Sequence, residues 1–173
     1  MSFKLPPFLI KKIFPPKKAV STVDLNGDGT ADAIQLQAFN KFQPFTIPEN
    51  INLGDFDINE FDLSEWGQIL LDGEPIDISK KNVNVNFVRD SLTIYHQGDA
   101  FTLDDFLSGK VGGRVLKLGD TLTVILKMEK KYLEQLKEGE HEITIDLETI
   151  PTLTVEFELS EDRMNVPFDP NNL

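Results

Sequence analysis

The sequence predicts an all-β protein built as an antiparallel β-sandwich with an extended N-terminal arm. Three observations lead there. Runs such as "DTLTVILKM", "HEITIDL" and "TLTVEFEL" alternate apolar and polar residues with the two-residue period of a half-buried strand. Turn-forming pairs punctuate the chain at Asn26-Gly27, Asp72-Gly73, Gly98-Asp99, Gly112-Gly113, Gly119-Asp120 and Glu138-Gly139, a spacing that suits antiparallel hairpins better than βαβ units. Of the 173 residues 40% are hydrophobic, enough to give one domain a real core.

Residues 1–18 form the arm, which continues into the domain as "MSFKLPPFLIKKIFPPKKAV". Pro6-Pro7 and Pro15-Pro16 impose extended geometry around a centre, Phe8 to Phe14, that is too short to be a stable helix by itself. The arm holds five lysines and no acid, which leaves 12 basic against 29 acidic residues, a net −17, for the rest of the chain. Two dispositions are open. Phe3, Leu5, Phe8, Leu9, Ile10, Ile13 and Phe14 pack on a neighbouring subunit or a membrane, with the lysines meeting acidic groups there. Alternatively the arm folds back on its own acidic domain as an edge strand or plug. Self-association or docking to another structural protein is the favoured partner reading, and membrane contact is not favoured.

Residues 19–162 are expected to form the sandwich. "AVSTVDL" and "DAIQLQAF" read as strands flanking a loop, and "VNVNFV" (Val83 to Val88) and "SLTIYH" as two more. The acidic stretch "NLGDFDINEFDLSEWGQILLDG" fits one strand with an acidic face or two pieces bent near Asn59-Glu60. Asp55, Asp57 and Asn59 there repeat a one-three-five spacing, but Glu60 replaces the glycine that a tight metal loop needs. Helix is limited to short turns at Leu103 to Leu107, where Thr102 caps, and Lys130 to Leu136, ended by Gly139. The tail, residues 163–173, contains Pro167 and Pro170 and is expected to lie over the surface without joining a sheet.

One stretch carries chemistry, "VDLNGDGTADAIQL". Asp24, Asn26 and Asp28 stand at positions one, three and five, Gly29 at six, Thr30 at seven and Asp32 at nine. Calcium takes ~6–8 oxygens, and alternate side chains converge on one point only where glycine permits a sharp turn. Asn-Gly and Asp-Gly also make hairpin turns without any metal. A turn needs one such pair, however, and not five spaced oxygen donors, so Ca2+ is the expected cofactor.

The pattern D-x-N-x-D-G-x-x-D resembles the Asx-rich calcium loops of EF-hands, dockerins and integrin α-subunit propeller blades. Gln35 stands where an EF-hand has its bidentate glutamate, and strands rather than helices flank the loop, so an ordinary EF-hand is excluded. The integrin-like version closes the site with an aspartate at the ninth position, which implies that role for Asp32. The resemblance spans about ten residues and implies metal ligation alone. Further on, the stretch Leu118 to Leu159, with "YLEQL" followed by "GEHEITIDL", resembles the latter half of immunoglobulin-like modules of bacterial surface proteins and cellulases. This implies a spacer or interaction module whose sandwich is immunoglobulin-like or jelly-roll-like.

Enzyme chemistry lacks parts. The two histidines, His96 and His141, fall on separate strands without ligand-spaced partners, and "GKVGGR" lacks the Lys-Ser/Thr ending of a phosphate loop. An acidic body disfavours nucleic acid. No cysteine is present to form disulfides. The N-terminus lacks the pattern of a secretory signal, and no apolar run approaches the ~20 residues of a spanning helix. The expected role is therefore non-enzymatic: a calcium-stabilised sandwich that self-assembles or docks to partners in a virus particle, filament or surface layer. The alternative is a carbohydrate-binding or enzyme-associated module that uses Trp66.

Overall fold

The computed structural model describes residues 5–49, 57–148 and 150–173. Phe3 and Lys4 of the arm and Asp55 and Phe56 of the acidic stretch lie outside the described residues. The chain is β-rich with several sheets. In chain order the elements are α1 (Pro7–Ile13), β1 (Val20–Asp24), β2 (Ala33–Phe39), β3 (Phe45–Thr46), β4 (Gly67–Leu71), β5 (Glu74–Pro75), α2 (Val85–Ser91), β6 (Leu92–His96), β7 (Asp99–Phe101), α3 (Leu103–Leu107), β8 (Val115–Leu116), β9 (Thr121–Lys127), α4 (Lys130–Gln135), β10 (Gly139–Leu147), β11 (Leu153–Leu159) and β12 (Val166–Pro167). A six-stranded sheet runs β12-β1-β2-β9-β6-β7, a four-stranded sheet β11-β10-β4-β5, and β3 pairs with β8.

Period-two alternation sets the register. In the larger sheet Leu36 lies opposite Val124, and Leu126 lies between Ile34 and Leu92, so their apolar side chains share one face. In the smaller sheet Ile143 lies between Leu71 and Val155, and Ile145 between Ile69 and Leu153. The two sheets supply one buried cluster: Ala19, Val20 and Ile34 from the β1–β2 side, Leu71, Phe157 and Leu159 from the other, and Leu136 from the end of α4. A second cluster on the other face of the larger sheet joins Val23, Ala33 and Ile125 to Tyr95, Val166 and Phe168.

That second cluster accounts for the tail. Contrary to the sequence expectation, β12 joins the sheet, pairing parallel with β1 through Val23–Val166 and Asp24–Pro167. Burial of Val166 and Phe168 holds it there, and the missing N–H of Pro167 is tolerated on an edge strand. Val83 to Val88 also departs from expectation. The Asn84 side chain accepts the Phe87 N–H at 2.9 Å and opens α2, placing Val85 and Val88 one helical turn apart. Over so short an apolar run the two periods look alike, and the cap decides. The acidic stretch is not one strand: it makes single turns of 3₁₀ helix at Ile58–Glu60, where the bend of the two-piece alternative was placed, and at Leu63–Glu65, capped by Asp62 accepting from Ser64 N–H, before its end enters β4. The turn at Leu103–Leu107 forms as expected, with a reciprocal capping box between Thr102 and Asp105.

The described part of the arm lies on its own chain, but Pro7–Ile13 is helical where extended geometry was expected, its short helix held by packing on the sheet. Pro7 opens α1, where a missing N–H costs nothing, and Ile10, 5% exposed, anchors it beside Thr154 of β11 and Thr152 just before that strand. The Pro16 carbonyl accepts the Glu158 N–H at 2.8 Å, and Lys11 meets Glu156 at 3.4 Å. The arm thus covers the edge of β11, where exposed N–H and C=O groups would otherwise template pairing with another chain. Replacing Phe157, 2% exposed between the sheets, by Ala should lower unfolding free energy by ~3–5 kcal/mol in urea titration. A loss under about 1 kcal/mol would show that the two sheets do not share that core.

Candidate functional site

The Asp24 to Asp32 loop leaves the end of β1 and returns at the start of β2, with strand on either side. It turns through Gly27 and Gly29, at φ 81° and 86°, a left-handed conformation that side chains resist. Asp24 is 5% exposed, and its carboxylate organises the turn: Oδ1 accepts the Gly27 N–H and Oδ2 the Gly29 N–H, each at 2.8 Å. These bonds, Gly29 first, hold the Asp24 carboxyl below the ordinary aspartate value, and loss of solvent works against them.

The other predicted ligands follow the same habit. Asn26 Oδ1 accepts from Asp28 N–H at 3.0 Å, and Asp28 Oδ1 accepts from Thr30 N–H at 2.8 Å. Asp32 reaches back across the loop, where its Oδ1 accepts from Leu25 N–H at 2.8 Å while its own N–H donates to the Val23 carbonyl. The structure therefore brings all five residues onto one loop. It does not draw the three carboxylates into a single cluster, and among the described residues no three His, Asp or Glu side chains converge on a metal-sized site. The donor set nevertheless suits a hard cation. Each carboxylate oxygen that accepts one N–H keeps a second lone pair, and among the described residues none of Asp24, Asp28 and Asp32 is in an ion pair with Lys or Arg. Asn165, just before β12, fastens the loop from outside by accepting the Ala31 N–H at 2.9 Å.

Two histidine arrangements were not legible in the sequence. His96, 2% exposed, receives Arg114 Nε–H on Nδ1 at 2.6 Å, so its proton sits on Nε2 and is donated to Asp120 Oδ2 at 2.9 Å. That bond is the main reason the Asp120 carboxyl lies below its usual range. Arg114 also meets Asp99 at 2.7 Å and stacks over the Phe101 ring at 4.6 Å. Both imidazole nitrogens are thus engaged inside the protein. His141 lies 2.7 Å from Asp72 Oδ2 through Nδ1 and 2.6 Å from the Lys137 carbonyl through Nε2. Both of its ring nitrogens therefore face oxygen atoms of the protein. Apart from Lys137, four positions from His141, the hydrogen-bonded side-chain partners in these networks stand 15 to 69 positions apart, and no local spacing marks them.

Trp66 is half-buried, with its ring 6.0 Å from that of Phe61. "GKVGGR" is a turn in which Gly113 N–H donates to the Ile47 carbonyl. A Cβ on Gly112 would come within 2.8 Å of the Glu49 backbone, so close packing accounts for that glycine.

The lowered Asp24 pKa fixes a sign. A carboxyl depressed on folding contributes stability above its unfolded value, about 3.8, and that contribution is lost as pH falls through the folded value. Asp62, Asp77, Asp105 and Asp120 share this direction. Asp24→Asn should therefore flatten, without abolishing, the acid limb of a urea-midpoint profile below about pH 5. Identical acid limbs would mean that the Asp24 bonds contribute nothing to the fold. No protein-family model matches the chain and no curated protein matches it in sequence, so its function rests on these residues and their geometry.

Proposed function

We propose that the chain is a calcium-stabilised β-sandwich of structural type, immunoglobulin-like or jelly-roll-like, that assembles with itself or docks to another structural protein without catalysing a reaction. The Asp24 to Asp32 loop carries this reading. Five oxygen donors spaced over nine residues, turned by two left-handed glycines at the end of a fully buried strand, are more than a hairpin requires. Asp24, Asn26, Asp28, the Thr30 carbonyl and Asp32 would hold the ion, which would supply charge neutralisation and a stiffer connection between β1 and β2. A site without a bidentate glutamate at its twelfth position suits the weaker calcium affinities of extracellular modules, and a particle or outer surface is the compartment that follows.

The arm supports the assembly half of the reading. It holds the β11 edge through Ile10, one main-chain bond and the exposed Lys11–Glu156 pair, contacts that a second copy can supply equally well. Both histidines have their ring nitrogens occupied by protein groups, which leaves neither free to act as a general base.

Thermal unfolding with excess calcium and with chelator tests the site. Calcium at ~100 times its dissociation constant should add ~2.7 kcal/mol, roughly 5–10 °C in Tm, and Asp24→Ala/Asp28→Ala should erase the shift. No shift in the parent protein removes the calcium reading. Deleting residues 1–18 should lower Tm and change the particle mass seen by light scattering at high protein concentration. An unchanged mass and Tm would remove the assembly role of the arm.

A further inference from the structure

The apolar faces of the two sheets meet firmly around Phe157 and Leu159, but not along their whole length. Farther along, Leu36, Val124 and Leu126 of the larger sheet and Ile69, Ile143 and Ile145 of the smaller line a shared cavity of about 340 Å³. All six stay only half-buried although each points toward the opposite sheet. Phe87 and Val88 of α2 complete the wall. Among the described residues nothing fills this space, and its apolar lining forgoes the contacts that a packed core would have.

Its chemistry is one-sided. Among the described residues no buried side-chain nitrogen or oxygen lacks a hydrogen-bond partner, so no orphaned polar group inside calls for water. Polar residues gather at one end, where the stretch after β5 meets the β9–α4 connection: Asp77 N–H donates to the Tyr132 hydroxyl at 3.1 Å, and Lys127 and Glu129 stand beside them. Lys131 pairs with Glu129 at 3.5 Å and also bears electrostatically on Asp77. Lys81 bears on Asp77 as well, so three lysines and two acids surround this rim.

We infer that this cavity is a binding site for a linear aliphatic molecule, its chain between the sheets and its polar end at the Asp77–Lys127–Glu129 rim. The volume falls in the ~300–1,000 Å³ range of small-molecule sites and is roughly twice that of a dry ~150 Å³ cavity that takes up benzene. An apolar bore with nothing to hydrogen-bond rejects sugars and ions. The inference is independent of calcium and of the arm.

The test uses the full chain with labelled isoleucine methyl groups. Xenon under pressure should shift the Ile69, Ile143 and Ile145 methyls, and 1-decanol should shift the same signals saturably. Ile145→Phe and Val124→Phe, which fill the space from opposite sheets, should each keep or raise Tm and weaken decanol binding at least ten-fold. Where one variant fails to fold, the other decides. Absence of any xenon shift, xenon entry without decanol binding, or undiminished binding in a folded filled variant each overturns the site.

Discussion

Burial of β1 on both faces is the constraint on which the arrangement depends. All five of its residues are buried, with Val20 in the cluster shared with β11 and Val23 in the cluster covered by the tail. The arm enters through Ala19 and the Asp24 loop leaves directly from its end, so three features that the sequence separates are anchored by one strand. Polar atoms on such a strand need partners. Thr22 accepts the Asn165 N–H at 2.9 Å, and Arg163 donates to the Val20 and Lys18 carbonyls, so the tail is held by polar groups as well as by Val166 and Phe168.

Charge imposes a second constraint. On the outer face of the smaller sheet Glu140 lies directly opposite Glu158, and Glu142 opposite Glu156, like-charge pairs that destabilise adjacent strands. The chain supplies a cation of its own nearby, Lys11 of the arm, which reaches Glu156. On the opposite face His141 is held between Asp72 and the Lys137 carbonyl while its ring stacks on Phe157 at 5.6 Å. The basic arm and acidic body are therefore complementary within one molecule, and that same complementarity is available between copies.

Period-two strands, glycine turns and the two short helices α3 and α4 were legible because each is encoded locally. Six expected runs became β1, β2, β6, β9, β10 and β11, and the Thr102 cap and the Asp24 turn follow from residues three to five positions apart. Of the expectations that failed, two show different reasons. Val83 to Val88 is too short for its period to decide, so a single side-chain bond from Asn84 made it a helix. The tail pairs with β1 because Phe168 finds Tyr95, a contact across 73 positions that proline content could not foretell.

By itself, then, the sequence determined the strand-rich pattern, the calcium-like spacing from Asp24 to Asp32 and the charge opposition between arm and body, all properties of neighbouring residues or of composition. Tertiary structure alone decided that the described part of the arm lies on its own β11 edge, that His96 meets Arg114 and Asp120, and that two apolar faces part to leave a cavity. The reason is physical. Alternation tells which face of a strand is apolar, but which other face covers it, and how closely, depends on side chains brought together from distant parts of the chain.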